Sequence, residues 1–361
     1  MKRRDFLRAS AVAAAAAALP WRDALASGQW RAYEITTRVT ILAPRGAMRA
    51  WVPLPMTEDT DWQRSLGNRW TGNFASARVV SDGKYGATML LAEWDANERA
   101  PLLEVGSRFE TRDRAVDLTR AGAGAPRLPA ADHAFYTAAT ELIPTDGIVR
   151  ETALDIVKGA RTDVEKARAI YDWVVENTFR DPKTRGCGWG DVKTMLESGN
   201  LGGKCADLNA LFVGLCRAAG VPARDVYGIR VAPSRHGYRS LGVGSAQVTK
   251  AQHCRAEFFA QGIGWVPVDP ADVRKVVLEE SPGNLRLDDP KVSAARQRLF
   301  GNWEMNWLAY NMAHDVRLPG SVTGAKIPYL MYVNGENGRE WLDPLDPDGF
   351  RYEIHASEVR T

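Results

Sequence analysis

Between Trp30 and about Leu118, apolar residues recur at every second position. Tyr33, Ile35, Thr37, Val39 and Ile41 alternate with more polar neighbours, as do Met48, Ala50, Val52 and Leu54, and a period of two puts each set on one face of a strand. Asp82-Gly83 separates Val79-Val80 from the run Met89 to Leu91, a dipeptide suited to the positive-φ turn of a hairpin. An antiparallel, sandwich-like β domain is therefore expected over residues 27–120. Residues 121–131 (AGAGAPRLPAA) have no periodicity and are rich in Gly, Ala and Pro, which reads as the linker out of that domain.

Beyond the linker the period lengthens. Val149, Ala153, Ile156 and Val157 repeat at helical spacing up to Gly159, and Thr162 with Glu165 forms a capping box ahead of Val164, Ala167, Ile170, Tyr171 and Val174. Leu208, Leu211, Phe212, Leu215 and Ala219 form one more apolar stripe, with Gly220 as its cap and Pro222 as its stop. Strand-like runs follow at 253–259 and 265–268. The fold class expected is α+β, with a domain of helices against an antiparallel sheet over 132–275 and an extension over 276–361 packed on it. Within that extension Trp303, Trp307 and Tyr310 sit at helical spacing, read as core packing with cleft lining as the alternative. The tail from Asn334 to Thr361, with several Pro, Gly and Asp residues, reads as a surface-wrapping extension.

The amino terminus changes the picture of charge. Residues Lys2 to Arg8 resemble the twin-arginine export motif, with Arg3 and Arg4 adjacent and Phe6-Leu7 after one residue. The apolar stretch Ala11 to Leu19 is too short to span a bilayer, and Ala24-Leu25-Ala26 supplies the small residues of a cleavage site. Residues 1–26 are thus expected to be a signal peptide, which places the mature chain in the periplasm or outside the cell without an integral membrane segment. Removing them leaves 42 basic and 42 acidic residues. The basic balance belongs to the signal, so nucleic acid is not an expected partner.

The mature chain has four cysteines, Cys187, Cys205, Cys216 and Cys254, with no CxxC pair, so no zinc site and no cofactor are expected. Cys205 and Cys216 on one helix would be roughly 16 Å apart, beyond disulfide reach. Cys205 opens its helix, where unpaired N–H groups and the helix dipole can lower a thiol pKa from about 8.5 to between ~3.5 and ~7.5. Gly202 and Gly203 are expected to clear space in front of it. A thiolate nucleophile needs a base, and the base needs an orienting group. A hairpin closing over 261–264 would bring His253 opposite 269–272, where Asp269, or else Asp272, can accept from the imidazole. His253, Arg255 and Glu257 share one face of their strand, and Cys254, Ala256 and Phe258 the other. His236 is expected on a loop at the surface or cleft rim, and His314 and His355 are weaker candidates.

Gly-Lys-Cys opening a helix, then Arg217-Ala-Ala-Gly-Val-Pro-Ala-Arg224, then His253-x-x-x-Glu257, then Trp265-Val-Pro-Val-Asp269-Pro, resemble in order the motifs of the transglutaminase-like superfamily, over about Ile143 to Asp272. The resemblance implies a papain-like fold and assigns nucleophile, base and orienting acid to Cys205, His253 and Asp269. The segment ending Asn177-Thr-Phe-Arg-Asp181 is similar to the family's Asn-x-x-Tyr-Asp, but Phe179 stands at the aromatic position, so no Tyr hydroxyl is offered there. The Cys205 backbone N–H is then the first oxyanion donor, with the Trp189 indole N–H second.

The activity expected is acyl transfer on a peptide or isopeptide amide through a thioester, with a peptide or protein as substrate and no metal or other cofactor. Hydrolysis is favoured. The alternatives are a transglutaminase that resolves the thioester with an amine, and a catalytically silent periplasmic binding module.

Overall fold

The computed structural model describes residues 28–58, 60–119 and 126–359. The expected signal peptide lies outside the described residues, as do residues 121–125 of the expected linker; a helix, Ala130–Thr137, begins before that linker was expected to end.

The alternating runs become two antiparallel sheets. One has the order Phe350–Val359, Arg31–Ile41, Leu102–Thr111, Gln63–Gly72, and the other Glu340–Leu342, Asn334–Asn337, Met48–Pro53, Thr88–Trp94, Ser76–Ser81. Tyr33, Ile35, Val39 and Ile41 from the first meet Met48, Ala50, Val52 and Leu54 in one buried cluster, so the sheets pack face to face as a sandwich. The Asp82-Gly83 hairpin forms with Val80 paired to Met89, and the Asp82 carboxylate accepts the N–H groups of Tyr85 and Ala87.

The tail departs from its expectation. It does not wrap the surface but supplies strands to both sheets: Val39 pairs with Tyr352, and Trp51 with Asn334. An unpaired edge of the first strand would leave a row of backbone groups without partners, and the last strand of the chain satisfies them.

The second core is a sheet in the order Gly264–Val268, Gln252–Ala260, Ala223–Arg230, Trp307–Asn311. Against it lie helices Gly147–Ile156, Asp163–Asn177, Cys205–Ala218 and Pro270–Glu279, with Val149, Ile170, Val174, Leu211, Phe212, Phe258 and Val266 in one cluster. Thr162 and Glu165 close their capping box as expected. The sheet's other side meets the sandwich through Ile229, Leu308 and Tyr310. Covered on both sides, all nine residues of Gln252–Ala260 are buried. All fourteen residues of Cys205–Ala218 are buried as well, and each large apolar side chain there contributes about 1.5–3 kcal/mol.

Trp303, Trp307 and Tyr310 are core residues, but not on a helix. They lie on strands Asn302–Trp303 and Trp307–Asn311, and all are buried. Trp307 faces Trp303 and His253 through its ring and indole N–H, whereas Tyr310 packs into the sandwich. A strand buried on both faces shows no alternation, so its aromatic spacing does not report its period.

Candidate active site

The Cys205 helix begins where the chain turns out of a two-residue parallel pairing of Phe179–Arg180 with Gly202–Gly203. Both glycines are required, for a reason other than substrate access. A Cβ on Gly202 would lie 2.3 Å from the Phe179 ring, and one on Gly203 would lie 2.5 Å from Cβ of Asp207. Asp207, which the sequence pattern did not single out, organises the entry to the helix. Its carboxylate accepts the N–H of Lys204 at 2.9 Å and those of Trp189 and Gly190 at 3.0 Å each. Gly188 has φ +92°, and a Cβ there would fall 1.8 Å from Asp207 Oδ2, so position 188 accommodates this carboxylate only as glycine.

On the facing strand Ala256 pairs with Val268, and the hairpin carries His253 against the turn that starts Pro270–Glu279. His253 Nε2 lies 2.8 Å from Asp269 Oδ2 and 3.5 Å from Asp272 Oδ1. Asp269 is held from three sides: as the helix N-cap it accepts the Asp272 N–H at 3.0 Å through Oδ1, Asn209 Nδ2 approaches the same oxygen at 3.4 Å, and Arg255 Nε is 3.7 Å from Oδ2. Arg230 spans both oxygens of Asp272 at 2.6 and 2.7 Å. Asp272 is therefore occupied, and Asp269 is the carboxylate that meets the imidazole. Arg255 lies over the Trp303 and Trp307 rings, which fixes its guanidinium behind the pair.

Cys205 and His253 both line a cavity of about 530 Å³, and each is 4 % exposed. The structure thus brings together Cys205, His253 and Asp269. It does not bring Trp189 to them: that side chain is 69 % exposed and lines a much smaller cavity beside Tyr227 and His314. His236 sits on the surface 3.3 Å from Asp113, His355 is exposed, and His314 is buried near Asp225.

The electrostatics favour an ion pair. The Cys205 thiol is held well below its ordinary range, first by hydrogen bonds from Cys187 and Cys254 and then by one from His253, against the opposing effect of burial. Burial and Arg230 pull His253 down, but Asp272 and Asp269 outweigh them and its pKa is raised. Burial and Asp272 push Asp269 up, while Asp272 itself is held low, because against burial Arg230, His253, Lys275 and Arg255 act together and outweigh it. All four cysteines are free thiols, and Cys187 and Cys254 are pushed up, by the neighbouring Cys205 and by burial respectively.

His253, Asp269 and Asp272 offer one ligand atom each within 4.8 Å of one another, a donor set that can in principle hold a metal ion. Two guanidinium groups already compensate the carboxylates, so an added cation would have to displace Arg230 or Arg255. The charge balance suits an imidazole better than a metal.

The model of the transglutaminase-like superfamily matches residues 150–270, the stretch that carries all three side chains. The chain belongs to this superfamily. A second model, of the twin-arginine translocation signal, matches residues 1–20, and the chain is accordingly exported by that route. An uncharacterized protein of Haemophilus influenzae is 38% identical over 344 residues, covering 91% of each chain. Among solved structures, a candidate cysteine protease of Cytophaga hutchinsonii is 14% identical with a TM-score of 0.53, covering 92% of this chain and 99% of that one. The likeness is one of fold, and it extends over the β sandwich as well as the superfamily core. Among the described residues no helix is long and apolar enough to cross a membrane.

Proposed function

We propose that this superfamily member is an exported cysteine amidase or peptidase that uses Cys205 as nucleophile, His253 as general acid and base, and Asp269 to orient the imidazole. The observation that carries the reading is the convergence of a helix-start thiol and an imidazole on one cavity, with a buried carboxylate 2.8 Å from the far ring nitrogen. With Nε2 engaged by Asp269, Nδ1 is the nitrogen left for the sulfur.

The Cys205 thiolate attacks the amide carbonyl carbon, forming a C–S bond, and the carbonyl oxygen takes the negative charge. The Cys205 backbone N–H is the donor proposed for that oxyanion. Collapse breaks the C–N bond as His253 gives its proton to the leaving amine. Water, deprotonated by His253, then attacks the thioester, releasing a carboxylic acid and regenerating the thiol. Hydrolysis is favoured over transfer to a lysine-like amine because the cavity is lined by six cationic side chains, which admit water but oppose the approach of a protonated amine.

The test is to treat one sample of the mature protein and of its Cys205→Ala variant with iodoacetamide near neutral pH, and a separate unlabelled sample of each with a peptide library. Stoichiometric labelling of Cys205 at pH 6–7, with amide cleavage absent in the variant, is expected. Labelling only at alkaline pH with no cleavage would favour a silent binding module. Incorporation of a fluorescent primary amine faster than hydrolysis would favour a transglutaminase.

A further inference from the structure

The cavity around Cys205 is lined by Arg180, Arg185, Lys204, Arg230, Lys250 and Lys275, and no Asp or Glu is among its lining residues. The mature chain carries equal numbers of basic and acidic residues, so this excess is a property of the cleft and not of the protein as a whole. Four of the six cations have carboxylate partners set back from the wall: Arg180 and Lys275 share Glu279, Arg185 meets Asp343 at 2.6 Å, and Arg230 meets Asp272. Among the described residues Lys204 and Lys250 have none. Lys204 directly precedes the candidate nucleophile and caps its helix only through its backbone.

A second observation points the same way. Gln252, next to His253 and also on the cavity wall, is 9 % exposed, and its Nε2 has no acceptor. A buried amide donor left unpaired is costly unless something in the cavity accepts from it. Lys275 adds strain of the same sign, since burial and then Arg230 push its ammonium pKa down. Cations crowded with each other and with an orphan donor lose repulsion when an anion enters.

We propose that the cleft selects an anionic acyl substrate, an acidic peptide whose carboxylate lies within a residue or two of the scissile amide, with Lys204 and Lys250 supplying charge and Gln252 Nε2 a hydrogen bond. This rests on the amidase reading for its chemistry, but the selection of charge is a property of the cavity itself. Lys204 and Lys250 are specificity residues: they meet the substrate's carboxylate, while bond making belongs to Cys205 and His253.

The test separates the two. The second-order rates of Cys205 alkylation by iodoacetate, an anion, and by iodoacetamide, its neutral analogue, are measured by mass spectrometry of the Cys205 peptide and divided by the same rates for free cysteine. The normalised iodoacetate-to-iodoacetamide ratio is expected to exceed one by about tenfold, to collapse toward one in 1 M salt, and to fall in Lys204→Gln/Lys250→Gln. A wild-type ratio at or below one overturns the proposal, with no variant needed, whether or not the protein cleaves any amide. In parallel, the Cys205→Ala variant is titrated with fluorescent peptides that differ only in Glu against Gln. Tighter binding of the Glu peptide supports the proposal, and equal binding overturns it. Failure of all peptides to be cleaved by the wild type, with the charge preference intact, would instead remove the amidase reading.

Discussion

The carboxylate of Asp269 serves two masters: Oδ2 lies 2.8 Å from His253 Nε2, while Oδ1 accepts the N–H of Asp272 at 3.0 Å and so caps the helix that follows. The two duties can be separated by substitution. Asn caps a helix about as well as Asp, so Asp269→Asn is expected to change stability by less than about 1 kcal/mol. It cannot balance an imidazolium, and amide cleavage is expected to fall by about 10³–10⁴-fold. Asp269→Ala loses both. Equal thermal stability of the Asn and Ala variants would show that the cap is idle, and unchanged cleavage by Asp269→Asn would remove the orienting role.

Cys187 offers a finer test of the thiolate. Its hydrogen bond is the first cause of the low Cys205 pKa, yet its sulfur also lies 3.3 Å from the Gln252 carbonyl. A thiol has one proton, so donation to Cys205 takes it from Gln252. Cys187→Ala is therefore expected to raise the midpoint of the Cys205 alkylation profile, but by less than His253→Ala does. His253→Ala removes the imidazolium as well as a donor, and a smaller upward shift for it than for Cys187→Ala would show that sulfur contacts, and not the imidazole, stabilise the thiolate.

The parts of this site that could be read from the sequence are those built by local rules. The Thr162–Glu165 box, the helix opening at Cys205 and the hairpin that delivers His253 to Asp269 each depend on neighbours within about twenty residues. Asp207 was not legible, because an acid in the first turn of a helix ordinarily faces solvent and complements the dipole; here it binds a loop 17 or 18 residues upstream. The cationic cavity was not legible either, since its wall is assembled from segments between Arg180 and Tyr352. Phe350, Tyr352, Ile354 and Ala356 do alternate, but the Pro, Gly and Asp residues before them read as a wrapping tail. Their partners on the first strand lie some 310 residues away, and no local pattern states such a pairing.

Glu257 carries a structural prediction. The His-x-x-x-Glu spacing places it on the His253 face of its strand, where it is fully buried between Arg114 and Arg224. Arg224 in turn stacks over Trp265, 3.8 Å from the ring centroid. Removing the central carboxylate leaves two guanidinium groups facing each other without an anion. Glu257→Ala is expected to cost about 3–5 kcal/mol, measured by urea unfolding, and the loss is expected to be largely relieved when Arg114 is replaced by Met in the same chain. A cost below 1 kcal/mol would mean that water enters and solvates the site.

Asp225 predicts a pH dependence with a definite sign. It is fully buried, neither oxygen has a hydrogen-bond partner, and its closest cation-capable neighbour is His314 Nε2 at 3.4 Å. Burial first, and the Cys205 charge in addition, push its carboxyl up to about 7 in spite of Arg217, while burial keeps His314 neutral. A carboxyl whose pKa rises on folding from 3.8 to about 7 binds its proton more tightly in the native state. Its contribution to stability is complete below about pH 4, declines at up to roughly 1.4 kcal/mol per pH unit, and is gone above about pH 7. Asp225→Asn is neutral throughout, so the variant is expected to match the wild type within about 1 kcal/mol at pH 4 and to be the more stable protein at pH 8. Urea unfolding of both proteins at pH 4, 6 and 8 isolates this group, because every other titration occurs in both and cancels in the difference. A difference that does not change with pH would show that Asp225 is ionised as in an unfolded chain. Because the Cys205 thiolate is one cause of the raised pKa, the crossover is expected to move to lower pH in a Cys205→Ala background, which would tie this buried acid to the ionisation of the candidate nucleophile.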